Sequence, residues 1–360
     1  MASSQADQIS AASATSATSA TSATSATSAS MSSSSSTAST ASSKSRSSAP
    51  EVGADEEIAA ERSVSVGIIG VGNMGGGIAQ NLLSKGWRVY VHDIDRAKTE
   101  QLASLGAHVV NVPSELARTC QTLIIAVVDA PQVEAVLTKP SPSAPSLLSQ
   151  LGAEHTVMLC PTIAPKDVIG FADLLNQQGV GVIDAPMSGG PARAQQGRMS
   201  LMTACPKPLW NNHLPLLSAM ADPVFFISER VGDGAKTKLI NNLLAGINLV
   251  ASAELLSMAE KIGLDLNTTL NVIESSSGQS WAGSDRMRRA IGGDPRELPP
   301  LAHMTLLEKD TRMALEMGQE AGYSGPLGAS AVQTFKDASA SGLAHCDDAA
   351  MLAHLRNFKA

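Results

Sequence analysis

From Ser63 onward, short unbroken apolar runs alternate with segments whose apolar residues recur every three or four positions. SVSVGIIG, RVYVHD, TLIIAVV (Thr122 to Val128), TVMLC and VGVIDAP are the apolar runs. They lack apolar–polar alternation, as expected of strands covered on both faces. Between them, GGGIAQNLLSKG sets Ile78, Ala79, Leu82 and Leu83 on one helical face. DRAKTEQLASLG (stopped at Gly106), PQVEAVL and the stretch from Pro165 through Leu175 also read as helices. Such alternation predicts a parallel sheet with helices on both sides. Near Arg230 the pattern changes. GDGAKTKLINNLLAGINLVASAELLSMAEKIGLD is one long helical pattern, with Leu239, Leu243, Leu244, Ile247, Val250, Leu255 and Met258 at helical spacing and Gly263 at its end. Helical segments follow in LNTTLNVIESSS, LLEKDTRMALEMGQEA, ASAVQTFKDASASG and DDAAMLAHLRNF, and no further strand is expected.

Composition separates the first 62 residues from the rest. MASSQADQISAASATSATSATSATSATSAS is a Ser-Ala-Thr triplet repeat, and Ser-rich sequence continues to Ser48. It has almost no large apolar residues with which to offset the entropy of ordering. A disordered tail over 1–62, or a gene start placed too early with Met31 as the internal candidate, fits this better than a Ser-rich transit peptide. Lys44 and Arg46 are the basic residues before Ser48, and they form no amphipathic pattern. The 360-residue chain has a formal net charge of −7, which argues against nucleic acid and anionic membrane surfaces as partners. Cys120, Cys160, Cys205 and Cys346 show no C-x-x-C spacing and read as reduced thiols of a cytoplasmic protein. The histidines are scattered, so no metal site is expected, and no apolar run reaches the length of a bilayer span.

The first apolar run leads into Gly70-Val71-Gly72-Asn73-Met74-Gly75, a G-x-G-x-x-G sequence between a strand and a helix. Gly70 permits the tight turn, Gly72 lets backbone approach a pyrophosphate, and Gly75 lets helix and strand pack closely. The helix start then presents free N–H groups to the phosphates. Asp93 ends the next strand at the distance expected of a carboxylate that holds a ribose 2′-OH and repels a 2′-phosphate. NAD is therefore the expected cofactor, with NADP disfavoured; Arg96 reads as a solvated charge at a helix start. The fold class that results is α/β: a Rossmann-type NAD-binding domain over 63–229, then an all-helical substrate and oligomerisation domain over 230–360, joined by the long helix.

Three further stretches carry candidate chemistry. DAPMSGGPARAQQG contains Ser188-Gly189-Gly190, able to offer backbone N–H groups and a hydroxyl to a carboxylate, or to make an ordinary turn. In GDGAKTKLINN, Lys238 and Asn242 lie one helical turn apart on one face. A lysine in a closed apolar cleft can exchange a proton with an alcohol, but on spacing alone a surface lysine is the ordinary outcome. The same holds for Lys309 in LLEKD, for which Glu308 and Asp310 would serve as surface partners.

These stretches, in this order, resemble the β-hydroxyacid dehydrogenase family, which includes 3-hydroxyisobutyrate dehydrogenase and tartronate semialdehyde reductase. The resemblance runs from Ser63 to the C-terminus. GIIGVGNMGGGIAQNLLSKGWRVYVHD is similar to its cofactor motif, DAPMSGGPARAQQG to its substrate motif, and GDGAKTKLINN and LLEKD to its catalytic and C-terminal lysine motifs. The resemblance implies Lys238 as the acid/base. It implies Ser188, Gly189 and Gly190 on the substrate carboxylate and Asn242 on a substrate hydroxyl. Thr162 in CPTIAP would lie near the nicotinamide, with Lys309 reaching into the cleft. IIAVVDAPQVEAVL, GRMSLMTACP, LINNLLAGINLVASAELL and SSGQSWAGSDRM are most similar to the L-threonate dehydrogenase branch, which oxidises a sugar acid at C2 with NAD. Cys160 stands before Pro161 and Thr162 where many relatives have an Asp-Ser pair, VVDAPQ replaces the usual leucine-proline loop, and Arg198 follows Gly197 where a small or acidic residue is common. These departures bear on the substrate more than on the chemistry. A homodimer or homotetramer acting on a small hydroxy acid is expected. From a different class, a non-catalytic NAD-binding sensor would need neither Lys238, Asn242 nor the Ser-Gly-Gly loop.

Overall fold

The computed structural model describes residues 65–357 apart from 143, 295 and 298, so the tail expected over 1–62 lies outside the described residues. Strands β1 (Ser65–Ile69), β2 (Arg88–His92), β3 (His108–Val109), β4 (Thr122–Ile125), β5 (Thr156–Leu159) and β6 (Gly181–Asp184) form the parallel part of one sheet, in the order β3-β2-β1-β4-β5-β6. Val66 pairs with Val89 on one side and Thr122 on the other. The order reverses beside β1, where open α/β sheets place a ligand at the carboxyl ends of the strands.

Alternate residues along each buried strand feed two separate cores, because successive side chains point to opposite faces. Ile68, Ile124, Met158 and Ile183 join one core, whose helical cover is α1 (Asn73–Ser84) with Ile78 and Leu82. Ile69, Leu123, Ile125, Val157 and Val182 join the other. Its cover includes α3 (Ala130–Thr138) and α4 (Pro165–Asn176), through Val133, Leu137, Val168 and Leu175, while α2 (Arg96–Ala103) adds Leu102 to the first core. Every residue of β4 and β5 is buried, which explains their unbroken apolar character.

The structure adds elements that the hydrophobic pattern did not predict. β7 (Met187–Ser188) and β8 (Ser200–Ala204) run antiparallel, β8 to β6 and β7 to β8, and β9 (Val224–Ser228) pairs parallel with β8. Between them lie α5 (Gly190–Gln195) and α6 (Lys207–Met220). Pro215 inside α6 and the polar run Asn211-Asn212-His213 hide its helical period. β4 stops at Ile125, short of Val128.

The second half is built on α7 (Asp233–Lys261), 29 residues and so about 43 Å long. It ends before Gly263, whose φ of +84° places it in the left-handed region that suits glycine. Against α7 pack α8 (Leu266–Glu274), α9 (Trp281–Gly292), α10 (Met304–Glu320), α11 (Pro326–Ala338) and α12 (Met351–Arg356). The shared core contains Leu249, Leu256, Met287, Phe335 and Met351. A Cβ on Gly246 would lie 2.5 Å from Thr311 Cγ2, so the glycine sets how closely α10 approaches α7. α9 was not expected; Asp285, Arg286, Arg288 and Arg289 mask its apolar stripe. By length and composition α7 suffices to cross a bilayer, contrary to the expectation that no run does. Its apolar residues are interrupted by Asn, Gly and Ser, so no unbroken run appears. In this fold it is the spine of the helical half.

Candidate active site

The turn from β1 into α1 is shaped by close approach. Gly70 has φ +87°, and a Cβ there would lie 2.8 Å from the Ala126 carbonyl oxygen. A Cβ on Gly75 would lie 1.9 Å from the Gly70 oxygen, an impossible contact. At Gly72, by contrast, an added Cβ meets nothing within 4 Å. Gly72 is the N-cap of α1 and supplies no side-chain cap, so the first N–H groups of the helix have no side-chain acceptor from it. Val71 and Met74 pack into the first core, while Asn73 is exposed.

Asp93, just past β2, closes this cradle. Its Oδ2 accepts a 2.7 Å hydrogen bond from the Val71 N–H and its Oδ1 a 2.8 Å bond from the Asp95 N–H. The carboxylate is therefore held beside the glycine turn, and Ile94 next to it is 98% exposed. An uncapped helix start, an open glycine and a fixed carboxylate fit the pyrophosphate and ribose of a dinucleotide.

A second constellation gathers where α7 and α10 meet the ends of the strands. Lys238, in the second turn of α7, is only 6% exposed, so the surface position expected from spacing alone is not what the fold produces. Burial lowers its pKa to about 8; the Asp310 carboxylate opposes that shift and the Lys309 ammonium adds to it. Asn242, one turn on, donates from Nδ2 to Asp310 Oδ2 at 2.7 Å. Lys309 Nζ lies 3.0 Å from Asp310 Oδ1 and donates to the Thr162 carbonyl oxygen at 2.5 Å. Segments far apart in the chain thus meet around one buried acid. Asp310 was expected to be a surface partner of Lys309, but it is 7% exposed and is the hub joining Lys309 and Asn242. Helix periodicity carried a signal for it: Asp310 lies four residues before the buried Ala314 and beside the fully buried Thr311.

Ser188 ends β7, and Gly189 and Gly190 follow with φ +124° and +79°. Two successive glycines in that region turn the backbone sharply into α5, which packs on α1 at Gly77. Among the described residues, no hydrogen bond joins Ser188, Gly189 or Gly190 to Lys238 or Asn242. The connection between these stretches runs through Asp184, which sequence reasoning passed over. This carboxylate accepts hydrogen bonds from the Gly232 and Ala235 N–H groups at 2.9 and 3.0 Å.

Comparison with known proteins agrees with this architecture. Residues 65–228 match the NAD binding domain of 6-phosphogluconate dehydrogenase, and residues 232–355 match the NAD-binding domain of NADP-dependent 3-hydroxyisobutyrate dehydrogenase. An L-threonate dehydrogenase of Cupriavidus necator is 34% identical over 294 residues, 81% of this chain and 95% of the relative. Among solved structures, 3-hydroxyisobutyrate dehydrogenase from Salmonella typhimurium superposes with a TM-score of 0.74 at 29% identity, over 81% of this chain and 99% of that one. Psf3 in complex with NADP+ and 2-OPP gives the same TM-score at 27% identity, with 81% and 99% covered. Fold, glycine cradle and these matches define an NAD-dependent hydroxyacid dehydrogenase that acts on small hydroxy acids. The chain belongs to the β-hydroxyacid dehydrogenase, or 3-hydroxyisobutyrate dehydrogenase-related, family.

Proposed function

We propose that the protein oxidises L-threonate at C2 with NAD, and that Lys238 is the general acid/base. The observation that carries this reading is a buried lysine, held near a neutral pKa, inside a charge cluster at the carboxyl end of the sheet. Neutral Lys238 would take the proton from the carbinol hydroxyl, and the protonated amine would return it to the carbonyl oxygen in the reverse direction. The nicotinamide, when bound, accepts or supplies the hydride. Asn242, oriented by Asp310, would hold a substrate hydroxyl, and Ser188, Gly189 and Gly190 would hold the substrate carboxylate, fixing which carbon is presented. Lys309 and the Thr162 backbone would border the nicotinamide side. The cradle residues Gly70 to Gly75 would take the pyrophosphate, and Asp93 the adenosine ribose, favouring NAD over NADP.

The L-threonate assignment is supported by the Cupriavidus relative, similar over nearly its whole length. In this reading the NAD-binding domain spans 63–229 and the helical domain 230–360. Ile240, Leu244, Leu255 and Met258, with Ile262 at the C-cap, form an exposed apolar stripe along α7, which supports a homodimer or homotetramer, as the free thiols support a cytoplasmic setting.

The test is NAD reduction, followed at roughly 340 nm, with L-threonate, D-threonate, 3-hydroxyisobutyrate, D-glycerate and tartronate semialdehyde (the last in reverse). Turnover of L-threonate that is lost in Lys238→Ala is the expected result. Preference for 3-hydroxyisobutyrate or for tartronate semialdehyde would keep the chemistry and replace the substrate.

A further inference from the structure

We infer that Asp184, at the end of β6, is the positioning residue that clamps the first turn of α7 to the sheet and so fixes where Lys238 stands. α7 has no side-chain cap of its own; its N-cap is Gly232, with φ +99°. The capping acceptor comes instead from 48 residues away, where Asp184 Oδ2 takes the Gly232 and Ala235 N–H groups. The fit is tight: a Cβ on Gly234 would lie 2.9 Å from that oxygen and 2.8 Å from the Met202 carbonyl oxygen. Asp184 is fully buried, and its other oxygen, Oδ1, is buried with no hydrogen-bond partner. Leaving Oδ1 without a partner is costly, and the two N–H bonds to Oδ2 offset that cost. The carboxylate places a negative charge at the positive end of the helix that carries Lys238. Ser188 follows four residues beyond Asp184 in the same chain segment.

The titratable groups facing Asp184 are Cys160 from the β5 end, Cys205 from the β8 end and Asp233 from α7. Burial pushes both thiols up to about 12, so they stay neutral. Asp233, bonded to Lys236, Ser228 and Arg230, is held down at about 2 and stays ionised. Asp184 itself is raised to about 6, chiefly by burial and against the backbone N–H bonds. It is therefore the member of this cluster that changes charge near neutral pH. Burial raises the Asp184 pKa and the backbone N–H bonds lower it, so protonation below about pH 6 keeps the side chain buried but weakens those bonds. The first turn of α7 then loses its charged cap without exposing the carboxyl.

The effect on turnover rests on the Lys238 reading; the effect on the helix start does not. In the reductive direction the protonated lysine is the competent form, so Lys238 alone leaves the rate level below pH 8. The clamp adds a second, acid limb near pH 6. Asp184→Asn keeps the shape and an acceptor but removes the charge. It is expected to abolish the acid limb and to lower kcat at pH 7.5 by about tenfold, with the KM for NADH unchanged. Hydrogen exchange of the Gly232–Ala235 amides, measured without substrate, is expected to quicken by about tenfold in this variant while β1 and β4 amides keep their protection. Asp348→Asn serves as control, because Asp348 is also raised to about 6 but faces Arg286 and Arg289 in the helical half. Should Asp184→Asn fail to fold, Asp184→Glu keeps the charge on a longer arm and is expected to retain the acid limb at a reduced kcat. An acid limb that survives in Asp184→Asn, that disappears in Asp348→Asn or that is missing from Asp184→Glu, or unchanged exchange at Gly232–Ala235, overturns the inference. If Lys238 were not the acid/base, Lys238→Met would leave the alkaline limb near pH 8 in place, while the exchange result would stand on its own.

Discussion

The two ends of the proposed cleft are made of different materials. At the β1–α1 turn the surface presented is almost entirely backbone: glycines, uncapped N–H groups and one carboxylate held by two N–H bonds. Where α7 meets α10, the surface is side chains, and three of them are charged or able to charge within a poorly solvated space. Backbone recognition tolerates no added volume where chains cross, but it is indifferent to pH. In the cluster of Lys238, Lys309 and Asp310, each change of charge alters the others. One region is thus governed by sterics and the other by charge balance, and substitutions in the two should fail differently.

The largest contrast is expected at Lys238. Lys238→Met should lower kcat/KM by about a thousandfold, the scale of lost general acid–base catalysis, without lowering the melting temperature, since it removes a buried amine that prefers water. A matching loss of stability would mean that Lys238 is structural. In the cradle the reverse is expected. Gly75→Ala forces a Cβ into the Gly70 carbonyl and should cost about 3 kcal/mol in denaturant unfolding, along with NAD binding. Gly72→Ala meets open space, so it should fold normally and raise the KM for NAD by about tenfold. Equal behaviour of the two alanines would break the steric account.

Asp93→Ser comes next: it should shift the NAD/NADP preference by about tenfold toward NADP, read as the ratio of kcat/KM values. The smallest effects are shifts of the pH profile, and their signs are opposed. In the oxidative direction neutral Lys238 is needed, so the rate should rise with pH through about 8. Asp310 favours the charged amine, so Asp310→Asn should move this midpoint to lower pH; Lys309 disfavours it, so Lys309→Gln should move it higher, each by about half a unit. Shifts of the same sign would show that Asp310 and Lys309 do not act on Lys238 as two opposed charges.

Much of the first half was legible because its signals are local. Five strands, the helices facing them, the glycine turn and Asp93 each lie within a short window, and periodicity reports burial on the two faces directly. β3 and β7 escaped because two residues carry no period, β8 because Ser200 and Thr203 interrupt its apolar run, β9 because it is only partly buried, and α6 and α9 because proline or charge masks their period.

The sequence by itself determined that a dinucleotide-type α/β half precedes a long-helix half, since backbone sterics and hydrophobic period act between neighbours in the chain. Only the tertiary structure decided that Lys238 is buried rather than solvated, that Asp310 joins Asn242 to Lys309, and that Asp184 caps a helix 48 residues away. The physical reason is that desolvation and charge pairing depend on what distant segments bring near. Lys309 meets Thr162 across 147 residues, and no window of sequence contains both.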